Sequence, residues 1–558
     1  MRKTKRFALV VMAFILLMTT ISCGKNTENA RKRDSGAPAT PTMTAAATPT
    51  ATEAPTATPS PTEVPPTPTP TGFQAPEEGC AIAFPERERY RYTMDLTLDA
   101  DAKTVSGHVV FDFYNDSEDP WDRLCLRDYS SVFIDGRVAG YPGTVNAHAA
   151  LTEIGGIVDS RDNAALTFTR DTDVSVVWIA LAKPLAPGEK MTLTYDFKAQ
   201  IPTLADRYGY HDGIFNVTNF YPVLAEYVNG AWSHEKFIAV GECFFSEVAD
   251  FDVRITAPEG FIIASSGTEK TKETKDGKVV YTLKAPCIRS FAFCASDRFA
   301  GKDATYDGVH VNVLYNGANP PSWDIDTAVE KALESARDSL AAYGKAFGRY
   351  PYEELDIIFA PIAAGGMEYP NLVIITSGLC VPFERGMPDN PSYSYAEMQI
   401  CIAHEIGHQW FMGIVGSNSG LEPWLDESMA SYSEHVYEDY IGLDRSLPVD
   451  LWSSEEFTTA QMLNSWEKNG HLPLTRSYYD FAGDYKYVAC IYETGRRALS
   501  LVEKTLGREK WYGILRAYVQ RNAFRNAATQ DFLDVLTEAV DMDDPEVKLV
   551  LTKVFGLQ

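Results

Sequence analysis

The sequence predicts a multidomain chain: a processed and tethered start, an all-β domain, then an α+β domain that turns mostly helical. Three observations carry this. Hydrophobic periodicity is two from about Tyr90 to residue 305, and close to that of a helix over much of the remaining sequence. A stretch built almost wholly of Pro, Thr and Ala separates the first 23 residues from everything that could bury a core. One helical stretch of the second half carries the spacing H-E-x-x-H.

Length and composition set the bounds. A chain of 558 residues has room for two to four domains, and 45% hydrophobic with 12% aromatic residues means large cores. A formal net charge of −26 argues against nucleic-acid backbones and anionic membrane surfaces as partners. It says nothing about substrate.

Residues 1–23 read as an export signal. Arg2, Lys3, Lys5 and Arg6 form a basic start, and Phe7–Met18 is an apolar run too short for a comfortable membrane span. Thr20-Ile21-Ser22-Cys23-Gly24 then resembles a bacterial lipobox, in which Cys23 becomes the lipidated first residue. Thr20 stands where that pattern prefers leucine, so plain secretion is the alternative. Residues 24–75 are expected to be a Pro/Thr-rich linker; from Gly36 to Thr71 its only charges are Glu53 and Glu63. Its prolines hold it extended at about 3.1 Å per residue, a stalk between an envelope and a folded body. The other eight cysteines are scattered, with no C-x-x-C pair, so no disulfide framework is implied; Cys287 with Cys294 is a conceivable pair.

Residues 80–305 are expected to form the all-β domain. Tyr92, Met94, Leu96 and Leu98 alternate with polar residues, and Val109, Phe111 and Phe113 repeat the pattern. Met191–Phe197 and Phe251–Thr256 are further strands, the latter followed by Ala-Pro-Glu-Gly turn chemistry. No catalytic constellation is visible there.

Residues 306–558 are expected to form the second domain. Val311–Tyr315 is a strand, and Val329, Leu333, Ala336, Leu340, Tyr343 and Phe347 recur at helical spacing, with Asp324 or Asp326 as cap. Leu355–Ala360 and Asn371–Thr376 are buried strands flanking Gly365-Gly366-Met367-Glu368-Tyr369-Pro370. Helices are expected over Glu397–Val415, Leu425–Tyr437, Tyr492–Leu506, Lys510–Asn522 and Thr529–Val540.

The Glu397–Val415 helix carries the chemistry. His404 and His408 fall one turn apart on one face, so both imidazoles reach one metal ion. Glu405 lies about 100° round the helix, where it meets water rather than the metal. A catalytic zinc needs a third protein ligand and an open position, and Glu427, after 18 intervening residues, is the natural candidate.

His404-Glu-Ile-Gly-His-Gln-Trp-Phe-Met-Gly413 with Trp424-Leu-Asp-Glu-Ser-Met-Ala430 resembles the gluzincin aminopeptidases, the family of aminopeptidase N and leukotriene A4 hydrolase. Gly365-Gly366-Met367-Glu368 looks like that family's exopeptidase motif G-x-M-E-N, and Tyr492-Glu493-Thr494-Gly495 like its catalytic-tyrosine segment. The resemblance spans about residues 85–558, tightly over 365–500. It implies a saddle-like all-β domain followed by a thermolysin-like zinc peptidase domain. It implies one Zn2+ on His404, His408 and Glu427, with Glu405 as general base and Tyr492 as oxyanion donor. Glu368 would hold the substrate's α-ammonium group, and Gly365, Gly366 and Met367 would let an edge strand pair with substrate backbone. The implied activity is a cell-surface zinc aminopeptidase acting on peptides with a free N-terminus, touching membrane only through its lipid anchor. Two alternatives stand beside it: a zinc endopeptidase, if Glu368 points away from the metal, and a non-catalytic peptide-binding lipoprotein, which predicts damaged ligands. Here all are intact.

The sequence departs from the family pattern at three places. Tyr369 replaces the asparagine of the exopeptidase motif. Ser428-Met429 stands where G-F is usual, which is expected to reshape a pocket wall. The sequence ends about 66 residues after Tyr492, with no room for a large helical C-terminal domain, so an open cleft is expected. Asp426 and Glu434 are candidates for holding ligand histidines, with capping or solvated roles as the alternative. Cys401 reads as a core residue.

Overall fold

The strand Tyr90–Asp99 alternates without a fault: its even-numbered residues are buried and its odd-numbered ones exposed. A strand with one apolar face needs a sheet, and this one lies inside an eight-stranded sheet, between Thr104–Tyr114, antiparallel, and Ala249–Pro258, parallel. These three strands put aromatic rings in one ladder. Phe251, Tyr92, Phe111 and Phe113 stack with successive centroids 5.0, 4.0 and 4.6 Å apart, which is the offset arrangement that cross-strand aromatics favour. Two four-stranded sheets complete the β region, and most of their inward residues join the same hydrophobic cluster.

The structure is a computed structural model; it describes residues 73–134, 150–238, 241–387, 390–443 and 458–557. The export signal, Cys23 and nearly all of the Pro/Thr-rich linker lie outside the described residues. Among the described residues, no helix is long and apolar enough to cross a membrane.

The second half is built on a five-stranded sheet, in the order Phe299–Tyr306, Val309–Asn316, Glu354–Ala360, Leu372–Thr376 and Gly366–Tyr369. The first of these strands corrects a boundary. A break at 305/306 would cut through Phe299–Tyr306, which pairs along its whole length with Val309–Asn316 and belongs to the second sheet. Alternation of period two is the same in both sheets, so the change of sheet leaves no mark on it. At the other edge, Gly366–Tyr369 pairs only with Leu372–Thr376 and keeps one side free of strand partners among the described residues.

Helices follow: α1 (Ile325–Phe347) and α2 (Ala396–Gly407), which pack on this sheet, then α3 (Glu427–Tyr440), α4 (Thr459–Lys468), α5 (Asp484–Val488), α6 (Gly495–Leu506), α7 (Arg508–Asn522), α8 (Thr529–Ala539) and α9 (Pro545–Phe555), which pack on one another. Helix α2 is shorter than its apolar spacing predicts. It stops at Gly407, and Met412, at φ 115°, turns the chain away before Val415. Helix α3 begins at Glu427, after a 3-10 turn over Pro423–Leu425. The segment before α6 is not α-helical: Ala489–Thr494 is a π-turn. Cys287 and Cys294 are both fully buried, and neither they nor any other described cysteine is in a disulfide, so the pair conceivable from sequence does not form.

Two buried polar side chains hold the end of the metal-motif helix, Arg289 from the β region and Gln409 from the chain just past the helix. Arg289 donates from Nε to the carbonyls of Met412 (2.7 Å) and Gly413 (3.1 Å), and from its other nitrogens to Asn526 and the Arg525 carbonyl. Gln409, just past α2, accepts from the Asn371 N–H (2.9 Å) and donates to the Tyr369 carbonyl (3.2 Å). The turn that joins the edge strand Gly366–Tyr369 to its neighbour Leu372–Thr376 is thereby fixed to the end of α2, and with it the position of Glu368.

Candidate metal centre

His404, in the last turn of α2, and His408, the residue that caps it, face the start of α3. Their Nε2 atoms lie 3.2 Å apart, and Glu427 Oε2 lies 3.4 Å from each. A zinc ion with ligands at about 2.0–2.1 Å in tetrahedral geometry separates those ligands by about 3.3–3.4 Å, so the three atoms outline one face of a metal tetrahedron. Glu427 Oε2 is buried and has no hydrogen-bond donor among the described residues. It belongs to the first residue of α3, where the helix dipole favours negative charge.

The other ring nitrogens are held by carboxylates. His404 Nδ1 lies 2.8 Å from Glu434 Oε1, whose second oxygen accepts from Arg496 at 2.5 Å; Arg496 also donates to Glu438. His408 Nδ1 reaches the Phe411 carbonyl at 3.2 Å, with Asp426 Oδ1 beside it at 2.7 Å and Asp426 Oδ2 accepting from Ser419. Both rings are thus oriented with Nε2 free to bind. Burial alone would push His404 down, but Glu427 and Glu434 override it and raise it to about 10. Glu368, Glu405, Asp426, Glu427 and Glu434 together place five carboxyls around two imidazoles, a donor set that calls for a bound cation.

Glu405 and Glu368 face the same space. Their carboxylate oxygens and a ring nitrogen of His408 all lie within 4.8 Å of one another. Burial is the main reason both acids are raised, Glu405 to about 8 and Glu368 to about 7. Glu368 points inward from the edge strand, whereas Met367, next to it, is packed into the hydrophobic cluster with Ile358 and Ile374. Met367 therefore meets this site through its backbone. Gly365 contributes its carbonyl to the Thr376 N–H, closing the edge strand.

Tyr492 comes in from the π-turn. Its ring is near-parallel to that of His404 at 6.1 Å, and Tyr487 packs edge-on against it at 5.9 Å. Burial, then the charge of Glu427, keeps the Tyr492 hydroxyl protonated. The fold brings Glu368, Glu405, His404, His408, Glu427 and Tyr492 together, with Gly365, Gly366 and Met367 beside them through their backbone; of the candidate site residues, Cys23 alone lies outside the described ones. Asp426 and Glu434 take the ring-holding alternative.

Three contributors carry no sequence signal of their own. Arg496 is four residues beyond Tyr492, but only the fold brings it to Glu434. Arg207 donates from one nitrogen to both oxygens of Glu242 (2.6 and 2.8 Å), a buried pair from the β region within electrostatic reach of Glu368 and Tyr369. A second group of possible metal donors, His435, Asp439 and Glu503, is already spanned by Arg508, which pairs with both acids.

Residues 331–553 match the peptidase family M1 domain. Aminopeptidase M1-A of Oryza sativa subsp. japonica is 24% identical over 467 residues, 80% of this chain and 48% of the rice protein. Aminopeptidase N of Lactobacillus helveticus is 28% identical over 246 residues, 43% of this chain and 28% of that protein. The chain thus spans about half the length of the rice relative and less of the bacterial one. Among solved structures, the M1 zinc metallopeptidase from Deinococcus radiodurans superposes with a TM-score of 0.55 at 17% identity, covering 85% of this chain and 96% of its own, a likeness of fold. The β-rich first part and mixed α/β second part thus share their fold with that metallopeptidase, and residues 331–553 are similar to peptidase family M1 domains such as those of aminopeptidase N.

Proposed function

We propose that the protein is a zinc aminopeptidase that removes N-terminal residues from peptides. The observation that carries it is Glu368: a buried carboxylate on an edge strand, aimed at the same space as Glu405 and the histidine pair. An endopeptidase must pass substrate chain on both sides of the scissile bond. A buried negative group at that point instead rewards a terminal ammonium, which raises the affinity of free-amine substrates and penalises blocked ones.

His404, His408 and Glu427 would hold one Zn2+, which when bound supplies a Lewis acid that polarises the scissile carbonyl and makes water a usable nucleophile near neutral pH. Glu405 takes the proton from the attacking water and returns it to the leaving amine. The Tyr492 hydroxyl donates to the developing oxyanion, a contact whose loss typically costs about 10²–10³ in rate. Gly366–Tyr369 offers its free edge to substrate backbone. Release of arylamine from aminoacyl-arylamides, its loss on chelation and on Glu405→Gln, and its recovery on adding zinc test this reading; a zinc-loaded protein inert toward such substrates refutes it.

We also propose, from the lipobox-like Thr20–Gly24 and the Pro/Thr-rich stretch after it, that the enzyme is displayed at a bacterial cell surface on a lipid-anchored stalk. Cys23→Ser is expected to move it from the detergent-extracted membrane fraction to the soluble one. An unchanged distribution counts against the anchor.

A further inference from the structure

We infer that Ser428 is a positioning residue for Tyr492: its hydroxyl clips the π-turn carrying the tyrosine to the helix carrying Glu427. This rests on Tyr492 acting as the oxyanion donor. Ser428 is fully buried, so it lines no pocket wall, contrary to what its place beside Glu427 suggests. Its Oγ donates to the Ile491 carbonyl at 2.6 Å. Ser433, further along α3, donates to the carbonyl four residues back, Met429, at 2.9 Å, whereas Ser428, the second residue of α3, has no carbonyl of its own helix at that place. Ser428 spends its hydroxyl across to the next element instead.

The acceptor is available because of the π-turn. In an α-helix the Gly495 N–H would reach Ile491; here it goes to the carbonyls of Cys490 and Tyr492. The carbonyl displaced in this way belongs to the residue immediately before Tyr492. Gly495 closes the contact from the other side, since a side-chain carbon there would sit 2.3 Å from Ser428 Oγ. Thr494 fixes the far side of the turn, donating to the Ala489 carbonyl at 2.9 Å while His471 Nδ1 lies 2.8 Å from its Oγ1. A turn wound differently would carry the Tyr492 ring round with it, and the Ser428 bond ties that winding to the residue next to a metal ligand.

The test is a double-mutant cycle on the zinc-loaded enzyme with an aminoacyl-arylamide. Tyr492→Phe is expected to lower kcat about 10²–10³-fold. Ser428→Ala is expected to lower kcat about 10-fold or more, with KM within about twofold and zinc still stoichiometric. Because Ser428 acts through the tyrosine, adding Ser428→Ala to Tyr492→Phe should slow the enzyme little further. Affinity for a phosphinic pseudopeptide, which mimics the tetrahedral state, should fall with kcat, whereas affinity for the product amino acid should not. Ser428→Cys, close in volume but a weaker donor, should lose less than Ser428→Ala and serves if the latter folds poorly. Wild-type kcat in Ser428→Ala, an equal loss on the Tyr492→Phe background, or loss of zinc in Ser428→Ala overturns the inference alone. A wild-type rate in Tyr492→Phe overturns the role of Tyr492 and the inference with it.

Discussion

Gly366 lies so close to Glu405 that a side-chain carbon at residue 366 would sit 2.2 Å from Glu405 Oε1. The edge strand and the acid of the metal motif are therefore in backbone-to-carboxylate contact, and no residue but glycine fits without moving one of them. Gly366→Ala is expected to keep the fold and the metal but lower kcat about 100-fold by displacing Glu405, because misplacing a catalytic group by about 1 Å can cost that much. Kinetics alongside zinc analysis check this; near-normal kcat would mean that Glu405 has room to shift.

The chain Glu438–Arg496–Glu434–His404 predicts an effect on metal affinity rather than on chemistry. Removing a group that holds a ligand histidine typically costs about 10–100-fold in metal binding. Glu434→Gln should fall in that range in a competition titration against a chelator. Arg496→Met should fall at its lower end, because it acts one bond further out.

Arg289 should matter for stability and hardly at all for catalysis. It is buried, and its guanidinium reaches carbonyls on both sides of the join between the β region and the loop after His408. Arg289→Met leaves those carbonyls without their donor, and a loss of about 3 kcal/mol is expected from denaturant titration.

Glu503 sets a pH dependence. Burial works against its charge, but His435, Arg508 and Tyr432 override it and hold the carboxyl at about 2 in the folded state. A folded value below the unfolded one, about 4.3, means the group stabilises above that unfolded value and stops doing so as pH falls toward 2. Glu503→Gln should therefore lower Tm at pH 7, and the gap from wild type should close as pH is lowered from about 4.3 toward 2. A gap that widens in acid would contradict the assignment.

The parts of the fold and site that are legible in the sequence are legible for physical reasons. His404, His408 and Glu405 are on one helix, so the helical period places them; Glu427 and Tyr492 come from motif spacing. The rest depends on contacts that spacing does not encode. Apolar spacing overextends α2 because His408–Val415 stays apolar at helical intervals after the backbone has turned at Met412. It assigns the strand Phe299–Tyr306 to the first domain because alternation does not say which sheet receives it. Ser428 reads as pocket wall from its place in the motif, yet its partner is a carbonyl 63 residues on, freed by a π-turn that no periodicity announces. Arg207 and Glu242 find each other across two loops of the β region.

On the proposed reading, Glu368 makes this metal site specific for a free N-terminus. The direct measurement is kcat/KM for an aminoacyl-arylamide and its N-acetylated form, in wild type and in Glu368→Gln, with zinc content held equal. Wild type should prefer the free amine by at least about 10³-fold, and Glu368→Gln should erase most of that preference by slowing the free-amine substrate. Cleavage of the acetylated substrate at a comparable rate by wild type, or a preference unchanged by Glu368→Gln, would contradict it.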